Sequence, residues 1–370
     1  MKCIHIMISN GSYNLKLIKL LSEIDCGGEN YFITNNKEFS IRTNGVARYN
    51  HEVLSIRVLK QLFYEYDYVF FHSMPLSTFS IFALGKNRLK KAVWVIWGHD
   101  LYITPSAHKC AVIRNVLNLL KKIRRRLRFV WLKDLAGIGI GFKYDAIEIR
   151  RLAAKINIYN MPYFSGSISD VESTMDSNSH DKIRIMVGHS AYSALNHKGI
   201  IDRLTAYKNE NIIFSFPLSY GQMEYAKEVK KYAISKLGVE KVEILENSLD
   251  YSDYVNYIRS VDIAIIDSVR QTALGNIYLL ANYGKKIYLN SNGILYQSGI
   301  FEGWFPGNVE DIGALSFKNF IETPDIQQQK IEKCFGNYYL DYSIAKNNWL
   351  HSLLQLKKKL PLENDFNDAS

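Results

Sequence analysis

The sequence predicts an α/β protein built from two doubly wound halves, and three observations carry that prediction. Short runs of bulky apolar residues alternate with segments of helical apolar spacing, the rhythm of parallel sheets covered by helices. The rhythm stops once, in the Ser- and Asp-rich stretch "SGSISDVESTMDSNSHD", and then restarts. A length of 370 residues also exceeds what one hydrophobic core usually organises.

In the first half, "KCIHIMI" reads as a strand, followed by a helical "NLKLIKLLSEI" and the extended "NYFIT". A helix in "HEVLSIRVLKQLFYEY" precedes two apolar strands, "DYVFFH" and "KKAVWVIWG". Helical spacing in "VIRNVLNLL" runs into the basic "KKIRRRLR", and "GIGIGF", a helical "KYDAIEIRRLAAK" and "INIYNMPY" complete this half. The second half repeats the pattern with "KIRIMVGHS", "NIIFSFPL", a helix around "EYAKEVKKYAISKLG", and "KVEILEN". The helical "SDYVNYIRSV", "DIAIID", "LGNIYLLANYG" and "KKIYLN" follow. Near the end, "YSIAKNNWLHSLLQLKKKL" is an amphipathic helix, free to pack across both halves. The expected division is 1–165 for the first domain and 166–181 for a linker. The second domain is then 182–340, and 341–370 is a crossover helix with a polar tail.

Composition narrows the setting. Cys3, Cys26, Cys110 and Cys334 lie far apart without paired spacing, which argues against a zinc site or a disulfide framework. No apolar run approaches the ~20 residues of a membrane span, and "MKCIHIMIS" is too short for a signal peptide. The protein is expected to be soluble or peripheral to a membrane. The net charge of +10 concentrates in Lys121 to Arg128, and nucleic acid, anionic lipid or an anionic small substrate all fit such a patch. A solvated basic helix face fits it equally.

Chemistry gathers where strands end. "VGHSAYSALNH" delivers Gly188 from a strand and then hydroxylated residues, with Asn196 and His197 closing the loop. Glycine admits a ligand close to the backbone, and N–H and hydroxyl groups can cradle phosphate. "DSVRQTALGNIYLLANYG" ends a strand at Asp267 and sets Arg270 and Gln271 before a helix that opens near Leu274 or Gly275. Helix N-termini favour anions, and an arginine adds a bidentate partner. "FPLSYGQMEY" brings Ser219, Tyr220 and Gly221 to a third junction, able to close over a base or a sugar. In the first half, "YVFFHSMP" presents His72 and "WVIWGHDLY" presents His99 and Asp100. Two strand ends bearing titratable groups point to a reaction centre.

Taken in order, "FFHS", "WVIWGHDLY", "MVGHSAYSALNH", "FPLSYGQMEYAKEV", "LDYSDYVNYIRSVDIAI" and "RQTALGNIYLLANYG" resemble one family. It is the bacterial TDP-N-acetylfucosamine:lipid II N-acetylfucosaminyltransferases of glycosyltransferase family 56. These add 4-acetamido-4,6-dideoxygalactose during enterobacterial common antigen synthesis. The family carries an Ile-Trp-Gly-x-Asp-Leu-Tyr segment, a Val-Gly-Asn-Ser loop ending in Asn-x-His, and an Arg-Gln pair before a helix-opening Gly. The matches span about Phe70 to Gly284. His189 stands where the family has Asn, and Ala273 where it has Gly near the phosphate helix.

The resemblance implies a GT-B-like fold, two Rossmann-like domains facing a cleft, with the donor in the C-terminal domain and the acceptor facing the N-terminal one. At the level of pattern alone, a two-domain dehydrogenase or binding protein reads the same. The expected donor site is Gly188, Ser190, Asn196, His197, Ser219, Tyr220, Arg270, Gln271, Gly275 and Asn276. Asp100 is the expected base with Trp94 and Trp97 packed beside it, and His72 is its reserve or its orienting partner. His99, Trp97 and Tyr102 are expected on the acceptor.

No Asp-x-Asp occurs in the chain, and no glutamate lies between Asp262 and Phe301, so neither the metal-holding GT-A motif nor a retaining Glu-x7-Glu pattern is met there. A metal-independent, cofactor-free transfer is expected. It would move a deoxy-amino sugar from a nucleotide-diphosphate donor to a polyprenyl-diphosphate-linked saccharide of a common antigen, O-antigen or capsule. Lys121, Lys122, Arg124, Arg125, Arg126 and Arg128 would dock the protein on the cytoplasmic face of the inner membrane. A non-catalytic sugar-nucleotide sensor is the first alternative. A nucleic-acid-binding protein is the second, and no recognised binding motif supports it.

Overall fold

The computed structural model describes residues 1–7, 12–34, 47–48, 55–74, 76, 78–98, 100–102, 111–164, 182–301, 304, 306–322 and 341–360. The stretch read as a linker lies outside them. Two compact units result. One holds Met1–Leu101, Ser106–Gly166 and Asp341–Ser370, and the other Tyr102–Pro105 and Ser167–Leu340.

The first unit runs β1 (Lys2–Met7), α1 (Ser12–Ser22), β2 (Glu29–Thr34), β3 (Ala47–Arg48), α2 (Ile56–Glu65) and β4 (Tyr68–His72). It continues with α3 (Thr78–Leu84), α4 (Lys86–Leu89), β5 (Ala92–Val95), α5 (Ala111–Leu132), β6 (Gly137–Ile140), α6 (Asp145–Leu152) and β7 (Ile158–Asn160). Its seven strands are all parallel in the order β3-β2-β1-β4-β5-β6-β7. β4 and β5 are buried along their whole length, as central parallel strands covered on both faces must be. The order reverses beside β1, so the switch point lies between the ends of β1 and β4, where Met7 pairs with His72.

The second unit runs β8 (Ile183–Val187), α7 (His197–Leu204), β9 (Ile212–Pro217), α8 (Met223–Leu237), β10 (Val242–Leu245), α9 (Tyr251–Ser260) and β11 (Ile263–Ile266). Then come α10 (Leu274–Asn282), β12 (Lys286–Leu289), α11 (Ile294–Phe301), β13 (Gly307–Asn308) and α12 (Phe317–Ile321). Its six parallel strands are ordered β10-β9-β8-β11-β12-β13. The switch point here lies between β8 and β11, the position at which open α/β sheets take ligands.

The final helix, α13 (Tyr342–Lys357), belongs to the first unit and packs on its core. Ala345, Trp349, Leu353 and Leu356 form one narrow buried stripe, which suits a single partner surface. Trp349 donates to the Pro162 carbonyl at 2.8 Å, Ser352 to that of Asn160 at 2.8 Å, and the Leu356 carbonyl accepts from Tyr68 at 2.9 Å. Asp341 caps its start, accepting from the N–H groups of Ser343 and Ile344.

Candidate functional site

In the second unit, the loop after β8 turns sharply at Gly188, whose φ is +69°. A Cβ there would meet Nε2 of His197 at 2.3 Å, so glycine is needed both for the turn and for the approach. Asn196 takes the left-handed conformation just before α7 and donates to Asp267 at 2.7 Å. Asn290, after β12, donates to the other oxygen of Asp267 at 2.6 Å. Asp267 thus ties the end of β11 to the end of β12 and to the start of α7, a positioning role the sequence did not assign. It also commits the Asn196 amide to the protein, where a donor contact was expected.

The remaining loops meet at the same place. Ala191 donates its N–H to the Tyr220 carbonyl at 2.8 Å, and the Gln222 N–H donates to Ala191 at 2.9 Å. This stitches the Ser219–Tyr220 turn onto the β8 loop, with the Tyr220 ring half exposed and 6.4 Å from that of His189. Thr272 and Nε2 of His189 share a hydrogen bond of 3.3 Å, which ties the segment before α10 to the same loop. Ser268 fixes the backbone of Arg270 in both directions, donating to its carbonyl and accepting from its N–H. α10 opens at Leu274, and its first intrahelical bond runs from the Ile277 N–H to the Ala273 carbonyl. The half-buried Gly275 and Asn276 therefore sit in a first turn whose N–H groups face outward along the axis. Gln271 is half-buried beside them.

Several polar atoms in this cluster are buried without a hydrogen-bond partner among the described residues. Nδ1 of His189, Oγ of Ser190 and Nε2 of His197 make no hydrogen bond to any described residue. Such groups cost about 1–3 kcal/mol each when left unmet, so their concentration at a switch point marks a place for a polar ligand. Burial first, then the charges of His197 and Arg270, push His189 down to about 3. Burial pushes His197 down to about 4. Both rings are neutral at neutral pH and present one N–H each. His197 shares its Nδ1 with the hydroxyl of Tyr225 at 3.4 Å.

In the first unit, the strand β5 ends at Val95, and the chain turns so that Asp100 comes back over it. Asp100 Oδ2 accepts from the Trp94 indole at 2.7 Å and the Met74 N–H at 3.1 Å, and Oδ1 accepts from the Trp97 N–H at 3.0 Å. Trp94 and Trp97 were expected as apolar walls. They are donors, and three of the carboxylate's roughly four acceptor positions are filled. Tyr102 is partly exposed beyond this turn, and His99 lies outside the described residues.

A direct role for His72 as base does not fit its burial. It is 1% exposed, and both ring nitrogens are engaged. Asn30 donates its amide N–H to Leu21, so its oxygen accepts from Nε2 of His5 at 3.2 Å. His5 Nδ1 must then accept from Nε2 of His72, at 3.0 Å. His72 Nδ1 in turn accepts from the Tyr163 hydroxyl, and Tyr163 accepts from the Trp97 indole. Every member has one donor and one acceptor in sequence, with the rings held neutral. Burial pushes His5 down to about 3, and burial with the nearby His5 holds His72 well below its ordinary value. His5 and Tyr163 were missed in the sequence. His72 is two residues further along the β1–β4 register than Phe70, the partner of His5, so the two imidazoles share a face.

On α5, Lys121, Lys122, Arg124 and Arg126 are exposed, as the basic patch requires. Arg125 is withdrawn from it, paired with Glu148 at 2.6 Å and only 19% exposed. The Arg128 side chain lies outside the described residues.

The family model for 4-alpha-L-fucosyltransferase, glycosyl transferase group 56, matches residues 46–299. A glycosyltransferase from Rickettsia africae is similar in fold, with 13% identity, 96% of each chain covered and a TM-score of 0.54. An E. coli structure described as trehalose-6-phosphate bound with UDP-2-fluoro glucose has 10% identity, 96% and 99% coverage, and a TM-score of 0.62. The S. aureus MnaA–UDP co-structure has 17% identity, 97% and 98% coverage, and a TM-score of 0.57. The fold is α/β and GT-B-like, with two Rossmann-like units.

Proposed function

Since the chain belongs to glycosyltransferase group 56 and is a glycosyltransferase, we propose that it moves a deoxy-amino sugar of the TDP-N-acetylfucosamine type. The donor is a nucleotide-diphosphate sugar and the acceptor a polyprenyl-diphosphate-linked saccharide, in the assembly of a surface polysaccharide. The working place is the cytoplasmic face of the inner membrane, held peripherally. Among the described residues no helix is long and apolar enough to cross a membrane.

The observation that carries this reading is the set of unmet polar atoms on His189, Ser190 and His197 beside the α10 N-terminus. With the Tyr225 hydroxyl donating to Nδ1, His197 offers its Nε2–H to a diphosphate oxygen. Ser190 offers its hydroxyl, and the Gly188 backbone lets the phosphate come close. Arg270 and the first turn of α10 take up the charge that builds on the leaving group. Gln271 and Asn276 border this pocket, and Ser219 and Tyr220 close over the base or the sugar.

The acceptor oxygen bonds to the anomeric carbon as the bond to the donor's phosphate oxygen breaks. The nucleoside diphosphate leaves with that electron pair. The acceptor proton passes to Asp100, through the lone pair its three donors leave open on Oδ1. Trp97 borders the acceptor, and the His5–His72–Tyr163 relay holds its indole in place. Incubation with a panel of nucleotide sugars and a short-chain prenyl-diphosphate saccharide tests the reading. Release of nucleoside diphosphate with the TDP deoxy-amino sugar supports it, and release with none of the panel overturns it.

A further inference from the structure

Helix α5 turns its apolar side outward. Val116, Leu119, Leu120, Ile123, Leu127 and Val130 fall on one side of the helix at i, i+3, i+4 spacing, and each is 45–57% exposed. The side toward the sheet carries instead the buried Phe129 and Leu132 and the ion-paired Arg125. A helix on a water-soluble surface has the opposite arrangement. At 100° per residue, Lys122, Arg126 and Lys133 flank the stripe on one side and Arg124 on the other.

Beside the last turns of α5 lie two adjoining cavities. One, of about 520 Å³, is lined by Arg126 and Lys133 with Arg151 and Lys155 across from them, over an apolar floor that includes Phe129 and Val130. The other, of about 750 Å³, shares Lys155 and Ile156 and extends to Arg150, Lys358 and Lys359. No Asp or Glu is among the lining residues of either. Arg150 is preset by hydrogen bonds to the carbonyls of Ala154 and Ile156, and Lys359 by one of 2.7 Å to the Tyr159 hydroxyl. Lys155 and Lys358 are exposed.

We propose that the α5 stripe and this double groove form one docking surface for an anionic bilayer. The stripe enters the interfacial layer, and the groove seats phosphate-bearing headgroups of anionic lipid. The lining charge is of one sign, with Arg151 also paired to a carboxylate, that of Glu148 at 3.4 Å; the floor is apolar and the stripe stands beside it, which together match a bilayer surface better than a small soluble anion. α5 begins on the side of the sheet where strands end and runs about 33 Å to the side where they begin. A membrane lying along it therefore reaches both the acceptor loop and the groove. This rests on the proposed membrane placement but not on the transfer chemistry.

Flotation of the full chain with vesicles of phosphatidylcholine, alone or mixed with phosphatidylglycerol, is the test. One variant carries Leu120→Ser, Ile123→Ser and Leu127→Ser, and the other Lys155→Ser and Lys358→Ser. The wild type should float with the mixed vesicles and not with phosphatidylcholine alone. The stripe variant should lose flotation, and the groove variant should bind about 25-fold more weakly, since each of its two basic residues contributes about fivefold near the surface. Both should keep their melting temperature and transfer sugar to a soluble short-chain acceptor at the wild-type rate. Loss of that transfer in the wild type itself would instead count against the proposed reaction. A groove variant that floats like wild type overturns the headgroup seat. Release of the wild type from vesicles by glycerol phosphate would assign the groove to free phosphate. A wild-type dimer that the stripe variant abolishes, or capture by RNA, would replace the bilayer with that occupant.

Discussion

The Trp94 indole reaches Asp100 Oδ2 at 2.7 Å, so the residue that closes the β5 core also holds the candidate base in place. Asp100→Asn would keep the shape but turn one end of the group into a donor. That end would face the Trp97 N–H or the pair from Trp94 and Met74, donor against donor. The variant should lose turnover and also about 1–3 kcal/mol of stability, the usual cost of an unmet buried polar group. Thermal melting beside product release checks both, and an unchanged melting temperature would show that the three bonds hold nothing.

Arg270→Ala should weaken nucleoside-diphosphate binding by about 1.5–3 kcal/mol, the worth of a charge-assisted hydrogen bond. Calorimetric titration measures it directly. An affinity equal to wild type would take Arg270 out of the donor pocket.

Two small residues with positive φ should respond in opposite directions. Gly188→Ala puts a methyl group 2.3 Å from His197 Nε2 at φ +69°, and should destabilise the second unit by 1–2 kcal/mol or more, of order the left-handed penalty. Ala273 already sits at φ +55° before α10, where the resembling family has glycine. Ala273→Gly should therefore stabilise by about 0.5–1 kcal/mol. Paired melting curves decide, and the same sign for both would refute the backbone account.

Acid should unfold this protein early. His5, His189 and His197 are held neutral, with values near 3, 3 and 4 against an ordinary 6.5. Their stabilising contribution is complete above about pH 6.5, where folded and unfolded chains bind the same protons. It falls as pH drops toward 3–4, because the unfolded histidines take up protons first. At pH 5 each would cost about 2 kcal/mol. Denaturant titrations at pH 7 and 5 should show a clear loss, and equal midpoints would contradict it.

Chelation should leave transfer largely intact, since Arg270 and the α10 N-terminus are assigned the leaving group's charge. Turnover lost to EDTA and restored by Mg²⁺ or Mn²⁺ would reject that assignment.

Much of this was legible in the sequence because it is local. The strand ending before Asp267, the helix opening at Leu274 and the continuous α5 follow from short-range pattern and composition. The Gly188 turn was equally visible, since glycine between a strand and a polar loop has few other uses. What stayed hidden depends on partners far along the chain. His5 reads as a stray polar residue in a strand until β1 is registered against β4 and Tyr163 arrives from beyond β7. Asp100 looked like a carboxylate beside two apolar rings because its donors include Met74, twenty-six positions upstream. Arg125 differs from its basic neighbours through its place on the sheet-facing side of α5, over the Phe129 ring and paired with Glu148 on another helix.

The docking of α13 has a consequence for how the chain is made. Trp349, Leu353 and Leu356 complete a core whose other members, from Cys3 to Phe164, leave the ribosome long before them. The first-synthesised unit keeps an open apolar seam until then, while the described core of the second lies between Ile183 and Ile321, all made before α13. The described core of the second unit is therefore on hand before that of the first, the reverse of the N-to-C order in which units usually fold. Until the last helix arrives, the nascent first unit exposes that seam and is the part more prone to aggregate.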